Sequence, residues 1–283
     1  MRALPIAALM LVLQSPAAHQ PQRMDRMPEA PARPSPAEIV RTLFEKTAGT
    51  PERPSASIAW IAGADKPQFA AFGTGPETPR TLYEIGSITK GLTGILLADM
   101  VNAGEVTLDD PLETLLPDGA GYPEAVRRVT LGQLATHASG LPRLPGNLGF
   151  GMRDPANPYA HYGAKELQAF LYGYVPPPGR TTIVAEYSNL GFGLLGYVLA
   201  LKAGMPYEAL LKARVLEPLG MRDSTITLSD DQRSRLALGH AKGVAVSNWD
   251  LDALAGAGAV RSSAEDMSKL LAALMRPPDS RVG

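Results

Sequence analysis

No cysteine occurs among the 283 residues. Disulfides, zinc–thiolate sites, catalytic thiols and a lipid-bearing N-terminal cysteine are therefore excluded. Histidine is scarce as well. His19, His137, His161 and His240 are scattered without ligand spacing, so no metal site and no cofactor is expected. Neither sign of charge dominates: 27 Lys plus Arg face 28 Asp plus Glu, for a net charge of −1. There is no basic block interleaved with aromatics, which argues against a nucleic-acid partner. No apolar run is long enough to span a bilayer, and no internal repeat is visible.

What is present suits a large folded unit. A hydrophobic content of 45% supports a substantial core. Many of the prolines fall before Pro36, which marks an extended N-terminal linker rather than a disordered protein. Residues 1–17 read as a secretory signal peptide. Arg2 supplies its positive end, Ala3 to Leu13 its short apolar run, and Ser15-Pro16-Ala17 the small residues at a cleavage site after Ala17. The expectation is a periplasmic or secreted protein with no stable membrane anchor, an uncleaved anchor being the alternative. Residues 18–34 form the linker and 35–283 the domain. Within the domain, 35–82 is a sheet-and-helix part, 83–260 is mainly helical, and 261–283 is a final helix and tail.

Ser35-Pro36-Ala37-Glu38 predicts a capping box, followed by a helix with Ile39, Val40, Leu43 and Phe44 as its inward stripe. The runs 56–62 and 68–73, on either side of Gly63-Ala64-Asp65-Lys66-Pro67, predict a β-hairpin. After Tyr83 helical spacing dominates. Helices are expected over 112–116, stopped by Pro117; over 131–137, capped by Thr130; and over 165–172, 188–203 and 207–216. A second capping box, Ser262-x-x-Glu265, opens a last helix with Met267, Leu270, Leu271 and Leu274 as its stripe. One hairpin bearing Ile58, Trp60, Phe69 and Phe72 is marginal alone. An incomplete sheet is therefore expected, with an uncovered edge that invites self-association.

The stretch from Tyr83 to Gly104 concentrates the chemistry. Ile88, Leu92, Ile95 and Leu96 share one helix face, and Gly104 is placed for a left-handed cap. Ser87 then sits at the helix start with Lys90 three residues on, on the same face. Gly86, Gly91 and Gly94 leave room for other backbone to approach. A serine hydroxyl needs a nearby base to act as a nucleophile. A lysine amine, with an ordinary pKa of about 10.4, serves only if burial and a positive helix pole depress it. The plain alternative is an N-cap serine and a solvated first-turn lysine. Ser-x-x-Lys is expected about once by chance in such a chain. A second candidate is Glu186-Tyr187-Ser188-Asn189-Leu190-Gly191, a turn entering a helix. The Tyr187 phenol needs cationic neighbours to work as a base, and Asn189 offers two donors and an acceptor for an amide. The plain alternative is a half-buried aromatic at a helix start.

Ser87-Ile88-Thr89-Lys90, followed much later by Tyr187-Ser188-Asn189-Leu190-Gly191-Phe192-Gly193-Leu194-Leu195-Gly196, resembles the serine β-lactamase and penicillin-binding-protein superfamily. The Tyr-x-Asn form is similar to that of class C β-lactamases and related D-Ala-D-Ala peptidases and esterases. Leu134 to Pro142, Glu217-Pro218-Leu219-Gly220-Met221 and Ser262-Ser263-Ala264-Glu265-Asp266-Met267 match too, so the likeness runs from about Ala56 to Met275 in five ordered motifs. The resemblance implies an α/β (α+β) β-lactamase-like fold, an antiparallel sheet with flanking helices plus a helical lobe.

It also implies roles. Ser87 is the acylated nucleophile, Lys90 and Tyr187 handle its proton, and Asn189 holds the substrate amide. The Ser87 N–H is one oxyanion donor, which a helix start suits. The segment around His137 shapes the edge of the site. A third family motif, Lys or His before Thr-Gly on a later strand, is not found through Gly283, and Gly239-His240-Ala241 lies in the wrong place to replace it. The function expected is a serine hydrolase of class C β-lactamase or D-Ala-D-Ala carboxypeptidase type. Its partner is a small-molecule or peptide substrate: a β-lactam, a D-Ala-D-Ala peptide or an ester. The alternative is a truncated, catalytically impaired binding protein on the same scaffold. A third reading is a helical interaction protein with coincidental motifs.

Overall fold

The computed structural model describes residues 55–61, 66–73, 78–152, 154–178 and 184–276, with a few positions between 34 and 46. The signal peptide and nearly all of the linker lie outside the described residues. Of the first expected helix, Glu38, Ile39, Arg41 and Thr42 are helical. Ile39 is exposed rather than turned inward, and Val40, Leu43 and Phe44 lie outside the described residues.

The expected hairpin is present as β1 (Ser55–Trp60) and β2 (Gln68–Gly73), antiparallel from Ser55↔Gly73 to Trp60↔Gln68. Helices do not account for everything after it. β3 (Leu82–Glu84) pairs antiparallel with β6 (Arg261–Ser263), and β4 (Gly239–Ala241) pairs with β5 (Val244–Val246). Strands of three residues are too short to display the alternation by which strands are read from sequence.

The helices are α1 (Thr89–Asn102), α2 (Glu124–Arg127), α3 (Leu131–Ala135), α4 (Ala164–Tyr172), α5 (Asn189–Ala203), α6 (Tyr207–Leu211), α7 (Asp230–Ser234), α8 (Ala255–Gly258) and α9 (Ala264–Met275). The segment 112–116 gives only a 3-10 turn, and α6 runs on into a wide π turn at Lys212–Leu216. Thr130 caps α3 in a capping box with Gln133, and Gly204 closes α5 in the left-handed region.

The core lies between α1 and α5. Leu92, Leu96 and Met100 meet a helix that buries Leu190, Leu194, Leu195, Val198 and Leu199. Ile88 departs from the expected stripe. It stands in a 3-10 turn ahead of α1 and is exposed. Close backbone approach also occurs elsewhere than expected. A Cβ on Gly91 or Gly94 would meet nothing within 4 Å, and Gly86 is required by its φ of +51°. A Cβ on Gly193 would lie 2.6 Å from Leu254, and one on Gly256 2.7 Å from the Phe192 carbonyl. Glycine at 193, 196 and 256 thus lets α8 press against α5.

The last two resembling motifs bind each other. Asp266 is buried and accepts from Asp223 N, Ser224 N and Ser224 Oγ, while Lys269 bridges Asp266 to the Gly220 carbonyl. The cap of α9 is Ser263, whose Oγ accepts from Asp266 N. It is not Ser262, which stands in β6 with its hydroxyl on Ser224. Leu270 is buried, whereas Leu271 and Leu274 face outward, against the expected stripe. Every described element from β1 onward belongs to one unit, Pro36–Gly283.

Candidate active site

β3 delivers the first group. The Ile85 N–H donates to the Val260 carbonyl, and Gly86 then turns the chain through its positive φ into the 3-10 turn Gly86–Ile88. Ser87 stands exposed on that turn, and Lys90, in the first turn of α1, is buried. Lys90 Nζ donates to Ser87 Oγ at 3.1 Å, to Asn189 Oδ1 at 2.9 Å and to the Ala257 carbonyl at 2.6 Å. Three acceptors match the three N–H donors of an ammonium. Its positive charge also lies 4.8 Å from the Tyr187 ring centroid and 5.9 Å from that of Phe192.

The second group comes from the entry to α5. Ser188 caps the helix, accepting from Gly191 N and donating to the Pro142 carbonyl. His137, at φ +59°, accepts the Glu186 N–H on its carbonyl and the Ser188 N–H on Nδ1 at 3.1 Å. Its ring lies tilted against that of Tyr187, with centroids 4.7 Å apart. The Arg143 carbonyl accepts from both Asn189 N and Leu190 N. The segment from Leu134 to Arg143 therefore serves as a frame for the turn. Held in this way, Tyr187 places its Oη 2.5 Å from Ser87 Oγ.

The electrostatics follow from these contacts. Burial pushes the Tyr187 phenol up, but the Lys90 ammonium, the Ser87 hydroxyl and the Arg143 guanidinium outweigh it and hold the phenol below its ordinary value. Burial, and then the Lys90 charge, hold the His137 imidazole below its ordinary value. A neutral ring is what an Nδ1 that accepts a backbone N–H requires. The Ser87 N–H has no backbone acceptor among the described residues and remains available to a ligand oxygen.

All four residues singled out in the sequence, Ser87, Lys90, Tyr187 and Asn189, meet at this point. Sequence reasoning missed the Ala257 carbonyl and the position of Arg143. A carbonyl has no residue-type signature, and the only hint was the small-residue run 255–259, whose Gly256 permits the close approach. Asn147 is used internally, donating to the Glu166 carbonyl and accepting from Tyr162. Ser139 is buried and accepts from Leu141 N.

Fold and site together define a class, and comparison with known proteins names it. The family described as Beta-lactamase matches residues 40–281. The chain belongs to the β-lactamase family, within the serine β-lactamase and penicillin-binding-protein superfamily. It is 35% identical over 195 residues to the D-alanyl-D-alanine-carboxypeptidase/endopeptidase AmpH of Escherichia coli K12, covering 67% of this chain and 48% of that protein. A β-lactamase of the same strain is 30% identical over 210 residues, covering 72% and 50%. Among solved structures, a class C β-lactamase from Rhodobacter sphaeroides superposes with a TM-score of 0.70 at 27% identity, covering 87% of this chain and 67% of that one. The fold is β-lactamase-like. The chain spans about half the length of the curated relatives it matches.

Proposed function

We propose that this protein is a serine hydrolase that forms an acyl-enzyme on Ser87 with a β-lactam, a D-Ala-D-Ala peptide or an ester. The observation that carries the reading is the shared contact at Ser87 Oγ, which touches Tyr187 Oη while accepting from Lys90 Nζ. The Lys90 ammonium has no lone pair to accept a proton, so the Ser87 proton goes to the oxygen of Tyr187 in its ionised, phenolate form, which the Lys90 and Arg143 charges favour. Ser87 Oγ attacks the carbonyl carbon, the C–N or C–O bond breaks, and Tyr187 returns the proton to the leaving group. Water then cleaves the acyl ester and restores the serine. Asn189, whose Oδ1 is held by Lys90, turns its amide N–H donors toward the side of Tyr159, where they meet the substrate amide. The Ser87 N–H supplies one oxyanion donor. Catalytic dependence on Ser87, Lys90 and Tyr187 is part of the proposal.

The relatives named as a carboxypeptidase/endopeptidase and as a β-lactamase support the peptide and β-lactam classes. Labelling with a fluorescent penicillin and with a fluorophosphonate tests the reading. Turnover of nitrocefin, a D-Ala-D-Ala peptide and a p-nitrophenyl ester then sorts the substrates. Labelling without turnover would favour an impaired, binding-type protein, and absence of labelling by both probes would refute the proposal. Export is proposed with it. Mature protein should begin near Ala18, and cytoplasmic protein that retains Met1 would contradict that.

A further inference from the structure

Arg143 differs from several other arginines of the chain. Arg80, Arg127, Arg214, Arg235 and Arg261 each hold at least one carboxylate. Arg143 is exposed and, among the described residues, pairs with none. Its guanidinium lies 4.9 Å from the centroid of the Tyr187 ring. Its carbonyl is fixed by the Asn189 and Leu190 N–H groups, which ties the residue to the first turn of α5. Tyr159 lies on the same side. Burial raises its phenol, while the Arg143 charge and the Asn189 side chain pull against that rise. The guanidinium therefore acts on the phenols of both Tyr187 and Tyr159, beside the residue that would hold the substrate amide.

The other cationic candidates at the site are committed. Lys90 spends its donors on Ser87, Asn189 and Ala257, and His137 accepts a backbone N–H with a neutral ring. Arg143 alone of these three keeps a planar fork of N–H donors open to solvent, a geometry that fits a carboxylate in bidentate fashion. No acidic side chain is among the groups acting on the Tyr187 phenol beside it.

We propose that Arg143 is a specificity-determining residue that selects acyl donors carrying a carboxylate on the acyl side of the scissile bond, next to the amide at Asn189. This rests on the substrate site proposed beside Ser87. The substrate class it defines is an amide or ester whose acyl portion is anionic.

Benzylpenicillin and carbenicillin form a matched pair, because carbenicillin adds a carboxylate to the same acyl side chain. Acylation rates are read by competition with a fluorescent penicillin. Arg143→Met should lower the carbenicillin-to-benzylpenicillin rate ratio by about tenfold, the scale of a lost charge-assisted hydrogen bond. Arg143→Lys should retain part of the preference. The same ratio is read without chemistry by calorimetric binding in a Ser87→Ala background, with and without Arg143→Met. An Arg143-dependent preference in binding without acylation of the unsubstituted protein would sustain this inference and refute the acyl-enzyme reading. A ratio unaffected by Arg143→Met, or binding of neither compound, would overturn the inference.

Discussion

At the scale of single residues, the proposed chemistry divides the work between a base and a cation. The Lys90 charge, with that of Arg143, holds the Tyr187 phenol below its ordinary value against the effect of burial. Tyr187→Phe should slow acylation by about 10²–10⁴-fold, the range of a lost proton-transfer group. Lys90→Met should cause a comparable loss at pH 7 with a different pH dependence. Without the ammonium the phenol titrates higher, so raising the pH should recover part of the rate. A loss of constant size from neutral to alkaline pH would show that Lys90 acts in some other way. The side chains were legible in the sequence because Ser-x-x-Lys and Tyr-x-Asn fix both identity and spacing. Two further features were not. The Ala257 carbonyl is backbone, and Arg143 reaches the Tyr187 ring only through the fold.

At the scale of elements, the position of the Ala257 carbonyl depends on how closely α8 approaches α5. Gly256→Ala would place a Cβ 2.7 Å from the Phe192 carbonyl, and Gly193→Ala one 2.6 Å from Leu254. Neither neighbour can yield without moving an element. Each substitution should destabilise by about 1–3 kcal/mol, the usual cost of overpacking. Gly256→Ala should in addition reduce acylation by displacing the acceptor of Lys90, whereas Gly91→Ala, which has open space, should do neither. Chemical denaturation with parallel labelling measures both effects, and equal stability of all three variants would contradict this packing. The longer helices were readable from spacing, and the caps expected at Thr130 and Gly104 lie where their chemistry places them. The short strands β3 to β6 were not, since their pairing is decided by partners far along the chain. Ser262 was expected to cap the last helix; its hydroxyl is instead paired with Ser224, and Ser263 caps the helix.

At the scale of the whole molecule, acid should unfold the protein through carboxylates that the fold holds ionised. Burial pushes Glu208 up, but Lys212, Thr225 and Thr227 outweigh it and bring it to about 2 from an ordinary 4.5. Arg80 and Arg235 lower Asp223 against burial, and Arg261 and Asn157 overcome burial at Asp250. Each group binds fewer protons folded than unfolded, so its contribution is complete above the ordinary carboxylate range and is lost as pH falls through the folded value. For Glu208 that window runs from 4.5 down to about 2. The Tm should fall steadily across it, and Glu208→Gln should flatten part of the slope. A Tm that holds constant down to pH of about 3 would contradict this. The β-lactamase-like class was legible because five motifs stand in order over most of the chain. The strands were nevertheless underestimated: of the three two-stranded sheets among the described residues, only the β1–β2 hairpin was expected from the sequence.

The most direct test is to locate the acyl group. The protein is incubated with a fluorescent penicillin and, separately, with a fluorophosphonate, and the adduct is mapped by intact mass and peptide sequencing. One adduct per chain on Ser87, lost in Ser87→Ala, is the predicted result. An adduct on any other residue, or unreacted protein with both reagents, would contradict it.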